Sequence, residues 1–442
     1  MLIGLGFQHP LAVGLIGVAL LIFLVALGVR VVFAAALVGL LGLVELIGWG
    51  PAAGVIGIVP HAKSSTYALS VLPMFIFIGF VAFHAGMTSQ LFSAARKWLG
   101  WLPGGLAVAT VFATAGFAAV SGASTATSAV FARTAIPEML EHGYSKRLAA
   151  GVVAAGGTLA TLIPPSAILV IYAIIVEESV GRLLLAGFLP GLVSALVYAA
   201  IIIIWAMLKP EQAPSVPVEE RPGWGERIAA LPPLLPIMAV VFIIVSAIYQ
   251  GWATPTEAGS LGAGIIFAVA LLRGTGIKPI VDSLMETAKL TVMIFSLIWG
   301  VTIFVRFLGF SGLAEAFTQL VVSIDAPPMV IIVCILLAYA VLGMFMDAIG
   351  MLLLTLPVVY PAVIALGFDS IWFGIIVVKM AEICLVTPPI GLNCFVVAAV
   401  RPDISLPDVF RGVTWFFVAD VITIIVLLIF PEIVTWLPDM MN

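Results

Sequence analysis

The stretch TLIPPSAIL, Thr161 to Leu169, decides how this chain folds. It lies inside a charge-free run of 29 residues, Leu148 to Val176, where hydropathy alone predicts one membrane-crossing helix. Pro164 and Pro165 break that helix. Each lacks a backbone donor, and its ring crowds the carbonyl four residues earlier, so Ala160 and Thr161 lose their helical partners. Lipid offers nothing to the freed groups, so an interruption at this depth has to be covered by protein or line a polar cavity.

The rest of the chain sets the same environment. Of 442 residues 63% are hydrophobic and 9% charged, with a mean hydropathy of +1.29, far from the balance of a water-soluble domain. The runs 64–95, 98–132, 183–208 and 228–256 also lack charge, and each exceeds the roughly 20 residues that cross about 30 Å of hydrocarbon. The expected fold is an all-α polytopic membrane protein. The net charge of −4, without a basic patch, gives no footing for nucleic acid. Cys334, Cys384 and Cys394 lie in apolar segments without metal-ligand spacing and read as small hydrophobes. The first apolar run has no basic residues ahead of it and reads as a first span rather than a cleaved signal.

Residues 209–227, KPEQAPSVPVEERPGWGER, hold four prolines and seven charges and divide the chain into halves. Basic residues favour the cytoplasmic side, which places Arg30, Arg96 with Lys97, Lys146 with Arg147, this loop, Arg273 with Lys278, and Arg401 there. Glu177 with Glu178, the turn YQGWATPTEA and the stretch 307–326 without lysine or arginine then fall outside, as do both termini. Two segments, 103–141 and 327–368, begin and end on one side. Each is either two thin spans or one re-entrant hairpin; the cluster SGASTATS at 121–128 and the shortness of the helices favour re-entrance.

At an offset of 224, Pro103 matches Pro327, Pro137 matches Pro361, and Pro164-Pro165 match Pro388-Pro389. Gly143-Tyr144 matches Gly367-Phe368. The chain therefore reads as a duplication, and five crossings between equivalent positions turn the second copy upside down. Inverted repeats of this kind are a transporter signature, with the ligand site near the midplane. The expected division is scaffold helices in 1–67 and 232–284, a first repeat at 68–208 with hairpin 103–141 and broken helix 147–176, and a cytoplasmic loop at 209–231. The second repeat, 285–442, has hairpin 327–368 and broken helix 370–399.

A broken helix has two useful ends. Carbonyls near Thr161 suit a sodium ion, while the half that starts near Pro165 presents amides and the positive dipole end to an anion. Ser166 and Asn393 add side-chain groups; Asn393 and Asn442 are the only asparagines, and a structural cap is the alternative reading of Asn393. Ser121, Gly122, Ser124 and Thr125 supply hydroxyls and backbone freedom at the first hairpin midpoint, with tight helix packing as their alternative. Asp347 is the only charge between Ala326 and Phe368. A carboxylate at the bilayer centre costs about 2.5–3.5 kcal/mol on insertion scales, which favours a cation or coupling role over a cap at a wet tip. Arg306 offers a planar fork to a substrate carboxylate, or else snorkels to the interface. Lys379 with Glu382, and Arg133 with Glu138, read as pairs that neutralise one another on a helix face.

GASTATSAVFARTAIPEMLEHGYSKRLAAGVVAAGGTLATLIPPSAILVIYAIIVEESVGRLLLAGFLPG resembles the large membrane subunit of the tripartite ATP-independent periplasmic (TRAP) transporters, as do GMFMDAIGMLLLTLPVVYPAVIALGFD and TPPIGLN in the second half. More distantly, STATSAVFARTAIP followed by GGTLATLIPP is similar to the tip and broken-helix motifs of divalent anion:sodium symporters. The resemblance implies an inverted-repeat, elevator-type secondary transporter in a bacterial or archaeal cytoplasmic membrane that imports an organic acid with sodium. It needs no cofactor beyond the coupling ions. Its implied partners are a small four-helix membrane subunit, here expected as a separate chain, and a periplasmic substrate-binding protein, with membrane lipid around them. One sodium site would lie between Ser121, Gly122, Ser124 and Thr125 and the break at Thr161 and Pro164. The other would lie between Asp347 with Ala348 and the break at Thr387, Pro388 and Gly391. Substrate would meet Ser121, Ser166, Arg306, Asp347 and Asn393. The rival readings are an anion:sodium symporter that works without a binding protein, a channel, and a membrane enzyme. The last lacks its tools, since His9, His61, His84 and His142 are scattered and no HExxH occurs.

Overall fold

A computed structural model describes residues 9–215, 221–344 and 346–441. Residues 1–8 of the expected first scaffold segment, 216–220 of the central loop, Phe345 of the second hairpin and Asn442 lie outside it. Among the described residues the chain is helical, without a strand. The first half comprises α1 (Pro10–Ala26), α2 (Val31–Ile47), α3 (Trp49–Ser64), α4 (Val71–His84), α5 (Met87–Leu99), α6 (Gly105–Ser121), α7 (Ser124–Glu141), α8 (Lys146–Thr158), α9 (Ala167–Val176) and α10 (Val180–Leu208). Three helices, α11 (Trp224–Ala229), α12 (Leu235–Tyr249) and α13 (Pro255–Leu272), lead to the 35-residue α14 (Ile277–Ser311). The second half continues with α15 (Leu313–Val322), α16 (Pro328–Gly343), α17 (Ala348–Ala365), α18 (Ser370–Val386), α19 (Leu392–Val400), α20 (Leu406–Ile429) and α21 (Glu432–Asp439). Seven helical segments among the described residues are long and apolar enough to cross a membrane.

The run from Leu148 to Val176 is not one helix. α8 ends at Thr158, a single tight turn spans Leu159–Thr161, and α9 starts at Ala167. The second proline pair separates α18 from α19 in the same way, and both Pro-Pro bonds are cis. Local chemistry sets the helix starts. Ser145, Ser166, Asp347, Asp369 and Ser405 each accept the amide three residues on, a cap that is typically worth about 1 kcal/mol.

Glycines let backbones touch where the helices cross. A Cβ on Gly39 of α2 would lie 2.7 Å from the Phe304 amide of α14, and one on Gly412 of α20 would lie 2.0 Å from the Arg147 carbonyl oxygen of α8. Small residues are the usual means of such close packing where lipid removes the hydrophobic drive between helices. The halves interlock reciprocally: α7 packs on α19 and α17 on α9, while α8 packs on α20 and α18 on α10.

Candidate functional site

The first break is sealed. Every residue from Thr161 to Ser166 is buried, and the tip between α6 and α7 closes over it. Gly122 makes that closure with φ at +56°, a conformation that disfavours a side chain, and a Cβ there would lie 2.6 Å from the Pro165 carbonyl oxygen. Ser121 Oγ lies 2.9 Å from Thr127 Oγ1, which donates to the Ala123 carbonyl. Ser124 begins α7, and its carbonyl oxygen would meet a Cβ on Gly157 of α8 at 2.9 Å. Thr125 follows it, half-buried on the first turn, and Pro164 is buried beneath the tip. Ser166 Oγ donates to the Thr161 carbonyl at 2.5 Å and accepts from the Leu169 amide at 3.4 Å. In this state, then, the Thr161 carbonyl is taken by Ser166, and one hydroxyl both bridges the break and caps α9.

The second break is open. Pro388, Pro389 and Ile390 are exposed, Thr387 is half-buried with its hydroxyl donating to the Ile383 carbonyl at 2.6 Å, and Gly391 starts α19 with φ at +46°. α16 reaches the helix below the break, since a Cβ on Gly343 would fall 1.7 Å from Cys384 Sγ. Asp347, half-buried beside the buried Ala348, caps α17 by accepting the Gly350 amide at 3.1 Å. Asn393 is fully buried. Its Nδ2 donates to the Ala154 carbonyl of α8 at 3.2 Å, and its Oδ1 has no partner among the described residues.

Beneath the first break lies a closed ring of polar groups with no exposure to water. Thr161 Oγ1 donates to Glu382 Oε1 at 2.5 Å, and Lys379 Nζ bridges Glu382 Oε2 at 2.5 Å and Asp420 Oδ1 at 2.7 Å. Tyr198 O–H donates to Asp420 Oδ1 at 2.6 Å and lies 3.3 Å from Thr158 Oγ1, while Thr161 Oγ1 is 2.9 Å from the Thr158 carbonyl. Lys379 and Glu382 therefore do pair, as their spacing predicts, but the pair is buried and extended by Asp420, Tyr198, Thr158 and Thr161. The signal for Asp420 is plain in the sequence: it is the only charge in 412–431. The expected pairing of Arg133 with Glu138 does not form. Glu138 bonds Arg96 of α5 instead, and Arg133 points from α7 into a cavity of about 160 Å³ with Ser121 and Glu286. The reason is that the residues are five apart, which turns them to different sides of α7.

Arg306 stands apart, hydrogen-bonding none of the other candidates. It is exposed on α14 in a separate cavity of about 550 Å³.

A helical chain with seven membrane-length segments among its described residues and two broken helices is a multi-pass membrane protein. Residues 12–433 match the family described as "Tripartite ATP-independent periplasmic transporter, DctM component", and the chain belongs to that family. It is similar to the C4-dicarboxylate TRAP transporter large permease protein DctM of Vibrio cholerae, 33% identical across 86% of this chain and 88% of the relative. It is also similar to the ectoine large permease TeaC of Halomonas elongata, 31% identical across 84% and 86%. The sialic acid large permease SiaM of Vibrio cholerae is 27% identical across 85% and 87%. Its fold is like that of the Alcanivorax borkumensis YdaH transporter, with a TM-score of 0.58, 13% identity, and coverage of 96% and 98%.

Proposed function

We propose that this chain is the large permease of a sodium-coupled importer of an organic acid in a bacterial or archaeal cytoplasmic membrane. It works with a small membrane subunit and a periplasmic binding protein that delivers the acid. The supporting observation is the seating of the Gly122 tip on the Pro165 carbonyl of the first break, where Ser166 Oγ bridges to the Thr161 carbonyl and caps the start of α9. Oxygens from a helix C-terminal end suit sodium, and the following N-terminal end suits a carboxylate.

Asp347 with Ala348 and the second break at Thr387, Pro388 and Gly391 form the second ion site in this proposal, and Asn393 contributes its Oδ1, which has no partner among the described residues. A carboxylate is the chemistry shared by the C4-dicarboxylates, sialic acid and ectoine named for the relatives. The mobile unit is taken as both hairpins with both broken helices, of which the buried ring links α8 and the first break to α18, moving against α2, α4 and α14 in an elevator stroke. In liposomes holding the permease and both partners, uptake of the acid carried by the binding protein is expected to require an inward sodium gradient. Equal uptake without the binding protein would favour the stand-alone symporter instead.

A further inference from the structure

Two cations converge on the larger cavity and neither has an ion-pair or hydrogen-bond partner for its side chain among the described residues. Lys63 comes from the last turn of α3 and Arg306 from α14, and the cavity they share with Glu177 and Thr302 measures about 550 Å³. The ion pairs seen among the described residues lie elsewhere. Two cations against the single carboxylate of Glu177 leave an excess of one positive charge. The remaining wall is largely apolar, with Ile174 of α9 and Leu353 of α17 among its residues.

These features fit a small organic anion. The volume falls in the range of about 300–1,000 Å³ typical of small-molecule sites. Low-dielectric walls concentrate the field of the two cations, which raises local anion concentration. The guanidinium fork of Arg306 matches a carboxylate edge, while the Lys63 ammonium acts as a point charge. Arg306 and Thr302 are four apart on α14, so donor and hydroxyl share one helix face. Leu353 is six residues beyond Asp347, about 9 Å along α17, so the cavity opens beside the second hairpin without including its tip.

We propose that this cavity is an entry vestibule that captures the substrate carboxylate before it reaches the tips, with Lys63 and Arg306 as its anion-binding pair. The proposal rests on the organic-acid reading above for the identity of the anion. The positive-inside reading of the loops assigns Glu177 and the end of α14 to the outer side.

The test is reagent selectivity at Thr302, which needs no transport. Thr302→Cys is placed in a chain with the exposed Cys334 changed to Ser, assembled with its small subunit in phosphatidylcholine nanodiscs. Labelling by a sulfonate-bearing and a trimethylammonium-bearing methanethiosulfonate is measured, each normalised to its rate with free cysteine and to the chain without Thr302→Cys. The anionic reagent is expected to react about tenfold faster, within the range of electrostatic focusing, and Lys63→Gln with Arg306→Gln is expected to bring the ratio to about one. A ratio near one in the unsubstituted vestibule, or one that the double variant leaves unchanged, overturns the proposal. Protection of Thr302→Cys by added phosphatidylglycerol would assign the cations to a lipid headgroup, and protection by the ligand-free binding protein would assign them to protein docking. Either result overturns it as well. Because labelling precedes any transport step, failure of the sodium-coupled reading leaves this result interpretable.

Discussion

Removing the ammonium of Lys379 leaves the carboxylates of Glu382 and Asp420 facing one another away from water, with one oxygen of Asp420 already unpartnered among the described residues. A buried charge stripped of its partner costs about 3–5 kcal/mol. Lys379→Met is therefore expected to lower the melting temperature and the yield of folded permease sharply, as read by fluorescence-detected size exclusion. The neutral combination of Lys379→Met with Glu382→Gln and Asp420→Asn is expected to recover most of that loss. Recovery by none of the combined changes would mean that the ring holds the fold through geometry rather than charge balance. Ser166 acts at the same scale. Ser166→Ala removes both the bridge to Thr161 and the α9 cap, and Asp347→Ala removes the only charge of the second hairpin. Each is expected to abolish most uptake with expression retained; normal uptake by both would reduce them to structural caps. On the loop between α19 and α20, Arg401 holds the Asp403 carboxyl down to about 2. A depressed carboxyl stabilises above its unfolded pKa and loses that contribution as pH falls through about 2. Asp403 is exposed, and water screens the pair. Asp403→Asn is accordingly expected to leave the melting temperature at neutral pH nearly unchanged.

At the scale of elements, the tip at Gly122 and the break at Pro165 work as one contact. Gly122→Ala meets both a left-handed backbone and a carbonyl oxygen 2.6 Å from the new methyl group. The conformation alone costs about 1–2 kcal/mol, so the tip is expected to lift and sodium-dependent protection of the tip from proteolysis to disappear. Unchanged protection would separate the tip from the ion. The breaks were legible in sequence because adjacent prolines remove two helical donors in a row: the lone Pro137, Pro190 and Pro357 stay inside their helices, whereas Pro164-Pro165 and Pro388-Pro389 interrupt theirs. Their burial was not, since one is sealed and the other open although the motifs match. The ring was half legible. Lys379 and Glu382 lie one helical turn apart and signal each other, whereas Asp420, Tyr198 and Thr161 join them only through packing of α10, α20 and the first break. The offset comparison also passes over them, because the positions 224 before Lys379 and Asp420 hold Ala155 and Leu196.

At the scale of the whole molecule, the reciprocal packing of α7 on α19 and α17 on α9, with the ring between, makes one body from parts of both halves. Glycine contacts between α2 and α14 make a second. In the proposed function, sodium binding at the breaks drives the first body past the second with its acid. The most direct test reconstitutes the permease with its small subunit and loaded binding protein in liposomes and compares acid uptake under inward sodium and inward potassium gradients at matched membrane potential. Uptake with sodium and only background with potassium is the predicted result. Equal uptake with potassium would contradict it.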